Sequence, residues 1–417
     1  MTKLWKNTSF NNFLNLSLNQ GINVLVALIS SPFLYQRLGE DQFGLVNLSL
    51  TITMMFGIII SYGFHMNAPK RLALLLDKPR EQATLINEVL VTRMLLSVVV
   101  IGLVLLSIYL GAFESYAGII SFSLIVLLGE AFYPLFILQG FDRLSLLAIS
   151  NAITKVSFLA GLILFIEVPE DAQWVNFMLG GSAFVVNLLL VFYIYAKRSY
   201  QFQWASMSRV WKRLVDNYKF FSYSIGAYIQ LTGGFILLGN FVSNEELGRY
   251  SVAQRVAVLL RTIPALMAQS ILQNASRLFR DDRPAFEKYL KRVFKNGLLI
   301  TLGIGIVFFI SAPWVVRVLA GEFVDYSTKI LQLLCFLPFL GMLNIHTVVR
   351  ILVAEHKEVL ARAMWIGAVV MIGTGALGSH LYGGMGLAVA TLFSEAFNSV
   401  VHWYLLKRKL AGEVLQA

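Results

Sequence analysis

The chain has 417 residues, of which 57% are hydrophobic and only 14% charged, with a formal net charge of +11. An ordinary soluble domain carries about 25% charged residues, so this composition excludes one and predicts an all-α polytopic membrane protein. The basic balance is read as membrane topology plus attraction to anionic lipid, and no nucleic acid is expected as a partner.

A membrane-crossing helix needs about 20 mostly apolar residues. Twelve such stretches follow one another: 10–34, 43–66, 89–110, 117–138, 144–166, 174–196, 219–242, 249–276, 294–318, 328–350, 359–381 and 385–406. No window between them would hold a separate soluble domain. Lys3 and Lys6 precede a segment too polar for a compact signal-peptide core, so that segment is expected to stay as the first span.

The first span carries Asn12, Asn15, Asn19, Asn23 and Ser30 on one helical face. The stripe reads either as the wall of a hydrated cavity that hydrogen-bonds a polar solute or as a polar seam between helices. Span four holds Glu130, and span five holds Lys155 halfway along its length. Lys155 either binds an anion or pairs with Glu130. A shorter polar face, Ser222, Gly226, Gln230 and Gly233, lies in span seven.

Span eight combines Gln254, Arg255, Arg261 and Pro264. A central arginine costs about 2.5–3.5 kcal/mol on insertion scales, so it must face protein, water or an anion. Gln254 and Arg261 share a face, whereas Arg255 points roughly 100–120° away. The arginines read either as phosphate or sugar-acid receptors or as partners of Glu130 and Glu395, with snorkelling open to Arg255. Pro264 leaves the Leu260 carbonyl without its usual donor, so a kink or hinge is expected there. Span ten holds Cys335, a small apolar filler, and His346, which either lines a cavity and titrates or packs between helices. Glu395 lies in span twelve; it and Glu130 are read as the only acids within spans. They and His346 are the candidates for coupling to a proton or sodium gradient, unless the two acids are protonated and hydrogen-bonded. His65, His380 and His402 lie near span ends and are read as interfacial.

With the N-terminus in the cytoplasm, 27 of the 34 Lys and Arg fall in inner segments, including all five in 67–93, and four fall in outer loops. This is a strong positive-inside pattern and places both termini in the cytoplasm. The chain also reads as two related halves. Phe132-Tyr133-Pro134 returns as Phe336-Leu337-Pro338, and the segment 40–44 returns as 244–248, both 204 residues later. Lys197-Arg198 and Lys407-Arg408 close spans six and twelve, 210 residues apart. The expected organisation is two six-helix bundles, 1–198 and 219–417, related by a parallel repeat and joined by a basic cytoplasmic linker, 199–218.

No nucleotide-binding loop or zinc-ligand spacing is present, and the outer loops are short and acidic, with Glu167, Glu170 and Asp171 in one of them. A resemblance then becomes specific. The run from Pro32 to Gly44, PFLYQRLGEDQFG, with Tyr62-Gly63-Phe64, the stretch Ala68-Pro69-Lys70-Arg71-Leu72-Ala73 and Leu138-Gln139-Gly140-Phe141, resembles the bacterial polysaccharide repeat-unit (O-antigen) flippase family. That family belongs to the multidrug, oligosaccharidyl-lipid and polysaccharide exporter superfamily. The layout agrees over all twelve spans, while the motifs lie in the first 145 residues.

The resemblance implies a non-enzymatic bacterial inner-membrane transporter. Its substrate would be an oligosaccharide on a polyprenyl diphosphate, moved by alternating access without a bound cofactor. Expected partners are that substrate, membrane lipids, and the glycan polymerase and chain-length proteins of the same pathway. Arg255, Arg261 and Lys155 would offset the substrate's negative charge, with Asn12, Asn15, Asn19, Asn23 and Gln254 contacting sugar. The rival readings are a cation-coupled multidrug exporter of the same superfamily and a membrane-embedded glycan polymerase, ligase or acyltransferase.

Overall fold

The computed structural model describes the backbone of residues 2–354 and 356–414, and the side chains of 21–411 apart from Val24, Gln273, Glu355 and Lys357. The side chains of Asn12, Asn15 and Asn19 therefore lie outside the described residues. The chain divides into two compact units, Met1–Ile225 and Gly226–Ala417.

The first unit contains α1 (Thr2–Ser61), α2 (Phe64–Ala73), α3 (Pro79–Tyr109), α4 (Ala117–Ser123), α5 (Ile125–Ala131), α6 (Leu135–Gly140), α7 (Leu144–Phe165) and α8 (Ala172–Arg198). It ends within α9 (Met207–Tyr228). The second unit contains a π-helical segment (Ile229–Gly233), α10 (Gly234–Leu238), α11 (Asn244–Asp281), α12 (Arg283–Ala320), α13 (Asp325–Leu334), α14 (Leu337–Val353) and α15 (Lys357–Val414). No strand occurs among the described residues.

Ten helices are long and apolar enough to cross a membrane among the described residues. Two of them, Gly21–Ala73 and Glu358–Ala411, are 53 and 54 residues long, and each covers two of the twelve stretches read from the sequence. Both are broken inside. In α1 the break is at Gly39, with φ 74° and ψ 170°. In α15 it is at Tyr382 and Gly383, the latter with φ 57°. A left-handed φ is open to glycine at little steric cost. At Gly383 the pocket also demands it, because a Cβ would overlap the Glu246 carboxylate. That carboxylate accepts from the Gly384 amide at 2.8 Å and from the Tyr326 hydroxyl, which stabilises the broken turn.

Proline breaks other helices. Between α5 and α6 lies Phe132-Tyr133-Pro134, and α13 gives way to α14 just before Pro338. These are the two copies of the repeated motif. Pro264, by contrast, lies inside α11 without ending it. Hydrophobic side chains such as Val98, Leu103, Ile163 and Phe192 in the first unit, and Val307 and Ile310 in the second, are exposed, as a lipid-facing surface requires. Each unit also has its own apolar core. One gathers Phe64, Leu72, Ile86, Leu90 and Phe136, and the other Phe286, Leu290, Met342, Ile345 and Val349.

Two sequence expectations change here. Residues 79–93 are not loop: α3 begins at Pro79, and Gln82, Asn87, Glu88, Thr92 and Arg93 are all buried in it. Burial is tolerable because each of these side chains finds at least one partner, although Gln82 Nε2 and Arg93 Nε have none among the described residues. Tyr200 Oη donates to Gln82 at 2.5 Å, Tyr195 Oη donates to Asn87 at 2.5 Å, and Asn87 donates to the Gln201 carbonyl at 3.0 Å. Nor are Glu130 and Glu395 the only acids within helices, since Glu88 is buried there too. The stretch read as the linker is helical from Met207 and docks onto this region. Arg213 pairs with Glu88 at 2.5 Å, Arg209 with Glu88 at 3.7 Å, and Arg71 with Asp216 at 3.4 Å.

Candidate functional site

Four helices of the first unit supply the side chains of a cavity of about 240 Å³. On α7, Asn151, Thr154 and Lys155 follow at three- and four-residue spacing and so share a face. Met54 of α1, Glu130 and Tyr133 around the end of α5, and Gly180, Ala183 and Asn187 of α8 complete much of the lining. The small residues of α8 bring its backbone close to α5, where Asn187 donates to the Gly129 carbonyl at 3.1 Å.

Lys155 is half-buried and makes no ion pair among the described residues. The sequence alternative that pairs it with Glu130 is overturned. Glu130 belongs instead to Arg93, whose Nη2 lies 2.9 Å from its Oε1. The side chain of Arg93 is only 4% exposed. It also donates to the Tyr133 carbonyl at 2.8 Å and to the Glu130 carbonyl.

The cause is local. Pro134 has no N–H, so the Glu130 carbonyl lacks its i+4 donor. The Ile137 amide bonds Pro134 at 3.0 Å, which leaves the Tyr133 carbonyl to Arg93. One guanidinium thus neutralises an acid and fills a helix interruption. Arg93 escaped the sequence reading because it sits at the edge of an apolar stretch and was counted with the loop. The signal that could have found it is Pro134 itself, which announces a carbonyl without its i+4 donor inside a span.

Asn23 joins the same neighbourhood: Asn151 donates to its side-chain oxygen at 3.3 Å. It is the one member of the predicted stripe in 12–23 whose side chain is described.

The second unit holds a separate polar cleft lined by Gln254, Arg261, Thr232, Tyr250 and Thr391, with a volume of about 30 Å³. A water needs roughly 10–15 Å³, so the cleft admits little more than solvent in this conformation. Arg261 pairs with Glu395, the alternative to its reading as an anion receptor, and its Nη1 also donates to the Leu231 carbonyl in the π-helical segment at 3.0 Å. Arg255 does not line this cleft, in keeping with its predicted angle. His346 lies elsewhere in the unit, with Nε2 3.3 Å from Arg350, which pairs with Glu287.

His402, expected at an interface, is fully buried, and its Nδ1 lies 2.8 Å from the Asn398 carbonyl. An imidazole satisfies one nitrogen on its own helix and packs the rest, so a position near a span end does not imply exposure. Cys335 is buried and free, as expected for a filler. No cluster of three or more His, Cys, Asp or Glu able to hold a metal occurs among the described residues.

The described chemistry is therefore that of charge and hydrogen-bond recognition inside a helical membrane unit. Known proteins share both the sequence and the fold. The chain is 20% identical over 355 residues to the putative O-antigen transporter of Escherichia coli (strain K12), covering 85% of this chain and 86% of that one. It is 25% identical over 404 residues to the probable low-salt glycan biosynthesis flippase Agl15 of Haloferax volcanii, covering 90% and 78%. Its fold is similar to an inward-facing MATE-family multidrug transporter of the MOP superfamily, with TM-score 0.73, 14% identity and coverage of 96% and 98%. It is also similar to the lipid II flippase MurJ, with TM-score 0.70, 14% identity and coverage of 97% and 87%. Residues 9–279, more than half of the chain, match the family described as "Polysaccharide biosynthesis protein", and the chain belongs to that family.

Proposed function

We propose that this protein flips a polyprenyl-diphosphate-linked oligosaccharide across the bacterial inner membrane by alternating access. The observation that carries this reading is Lys155: a half-buried ammonium with no carboxylate partner, in a cavity lined by Asn151, Thr154 and Asn187. A structural cation inside a membrane helix is normally paired. One whose acidic neighbour in the cavity, Glu130, is already held by Arg93 suits a ligand that supplies the negative charge, such as a diphosphate, while the amides and hydroxyl suit sugar hydroxyls. The names of the E. coli and Haloferax relatives, a transporter of O-antigen and a glycan flippase, support the same substrate class.

Such a protein moves its substrate without forming or breaking a covalent bond, so it is not an enzyme. The inner-membrane location with both termini cytoplasmic rests on the distribution of Lys and Arg. Arg261 and Gln254 would contribute where their cleft widens in another state. For coupling to a proton or sodium gradient, Glu130 and Glu395 are the candidates, and each has an arginine as the group a cation would displace.

The test is in cells deleted for this gene. Complete lipid-linked repeat units should accumulate on the cytoplasmic face. The wild-type chain should rescue them, and Lys155→Gln should rescue poorly at normal protein level. Normal arrival at the periplasmic face with unpolymerised glycan would overturn the reading in favour of a membrane enzyme.

A further inference from the structure

The first unit carries a second cationic pocket that the transport reading does not use. It lies where α6 turns into α7 and where α8 ends, and has a volume of about 380 Å³. Three cations line it: Arg143 from the turn, and Lys197 and Arg198 from the last turn of α8. Leu138, Phe141, Leu146, Tyr193 and Ile194 supply the other walls, and no acid lines the pocket.

The cations are held by aromatic rings. The Arg198 guanidinium lies 4.5 Å from the centre of Phe141. Lys197 Nζ lies 5.4 Å from the Tyr193 ring and 3.0 Å from its hydroxyl. A ring face orients a cation but does not neutralise it. None of the three makes an ion pair among the described residues. The unit's other basic pocket differs. It has Arg71, Arg80 and Arg213 in its wall, but also Glu81, and Arg71 and Arg213 are tied to Asp216 and Glu88.

Exposed apolar side chains lead away from the pocket along both of its helices. On α7 they are Ile149, Ile153 and Val156, and on α8 Leu189 and Val185. Their three- and four-residue spacing continues the faces of Leu146 and Tyr193. A charged recess at the helix ends that opens onto two apolar rails matches a molecule with an anionic head and hydrocarbon tails.

We propose that this pocket binds the phosphate head group of an anionic membrane lipid, with the acyl chains lying along α7 and α8. The forked guanidinium groups of Arg143 and Arg198 suit phosphate oxygens. The second unit repeats only part of the arrangement. Lys407 Nζ lies 5.1 Å from the Trp403 ring, 210 residues after Lys197 and Tyr193. No arginine corresponds to Arg143, since Thr347 and Val353 stand at the two offsets. That end of α15 is the internal control. The proposal does not depend on the transport reading.

The experiment uses the purified full chain titrated with phosphatidylglycerol or phosphatidylcholine, with bound lipid counted by native mass spectrometry. Wild-type protein and Lys407→Gln/Arg408→Gln should retain phosphatidylglycerol alike and in preference to phosphatidylcholine. Arg143→Gln/Lys197→Gln/Arg198→Gln should bind it more weakly by on the order of ten-fold. Leu146→Trp, which fills the pocket and keeps every charge, should show the same loss. Unchanged binding in both variants, or equal retention of the two lipids by wild type, overturns the proposal. Competition by inorganic phosphate as effective as that by the lipid overturns the lipid as the source.

Discussion

Removing the Arg93 guanidinium would strip the Tyr133 carbonyl of its donor and leave the buried Glu130 carboxylate without its counter-ion, while the Glu130 carbonyl keeps the Tyr133 amide at 3.2 Å. Breaking a buried pair on one side costs about 3–5 kcal/mol, because the surviving charge stays buried. Arg93→Ala should therefore lower the thermal midpoint of the purified protein markedly. Replacing Glu130 as well, by leucine, should recover only part of the loss, since the Tyr133 carbonyl remains without its donor. Lys155→Gln should behave in the opposite way. No carboxylate is orphaned, so stability should stay within about 0.5 kcal/mol while glycan translocation falls. Equal thermal losses in Arg93→Ala and Lys155→Gln would refute this division between a structural and a ligand-facing cation. Lys155 was legible in the sequence because it stands alone in a long apolar stretch. Arg93 was not, because its meaning depends on how closely α3 approaches α5, and no local pattern encodes that distance.

Helix breaks and docked helices set the second scale. Gly383→Ala would add a Cβ on the Glu246 carboxylate in a left-handed turn, and such strain costs of order 1–3 kcal/mol. Gly373→Ala, in the same α15 but with nothing within 4 Å of the added methyl, should be neutral or stabilising by up to about 1 kcal/mol. Comparing the two thermal midpoints tests whether the α15 break is built into the fold. α9 offers a different readout. Its first turns are held to α3 by Arg213 and Arg209 on Glu88, and to α2 by Asp216 on Arg71. Glu88→Gln should speed hydrogen exchange of the amides in 207–217 and leave those in α7 unchanged. The apolar stretches made the spans readable. The basic residues of 207–217 looked like an exposed linker, because composition does not reveal that their acidic partner is buried in another helix.

Across the whole chain, the repeat offset of 204 residues picks out matching bonds as well as matching residues. In the first unit Asn47 donates to the Phe43 carbonyl, and in the second Ser251 donates to that of Leu247, both within their own helix. Asn176 ties the Val46 carbonyl to Ser123, while Ser327, 204 residues after Ser123, reaches the Arg249 carbonyl. The halves also diverge. Arg93 corresponds by this offset to Gly297, and the space beside that glycine is taken by Met342. One half keeps an ion pair where the other keeps a thioether, so the repeat predicts the frame and not the chemistry placed in it.

The plug at the α5–α6 break also has a history. Arg93 is needed there twice over, because residue 134 is a proline and because residue 130 is an acid. A descendant with an ordinary residue at 134 would give the Glu130 carbonyl its i+4 donor, but the guanidinium would stay under selection until residue 130 also lost its charge. One that lost Arg93 first would bear the full penalty. Positions 93, 130 and 134 should therefore change together in descent, with the proline and the acid leaving before the arginine.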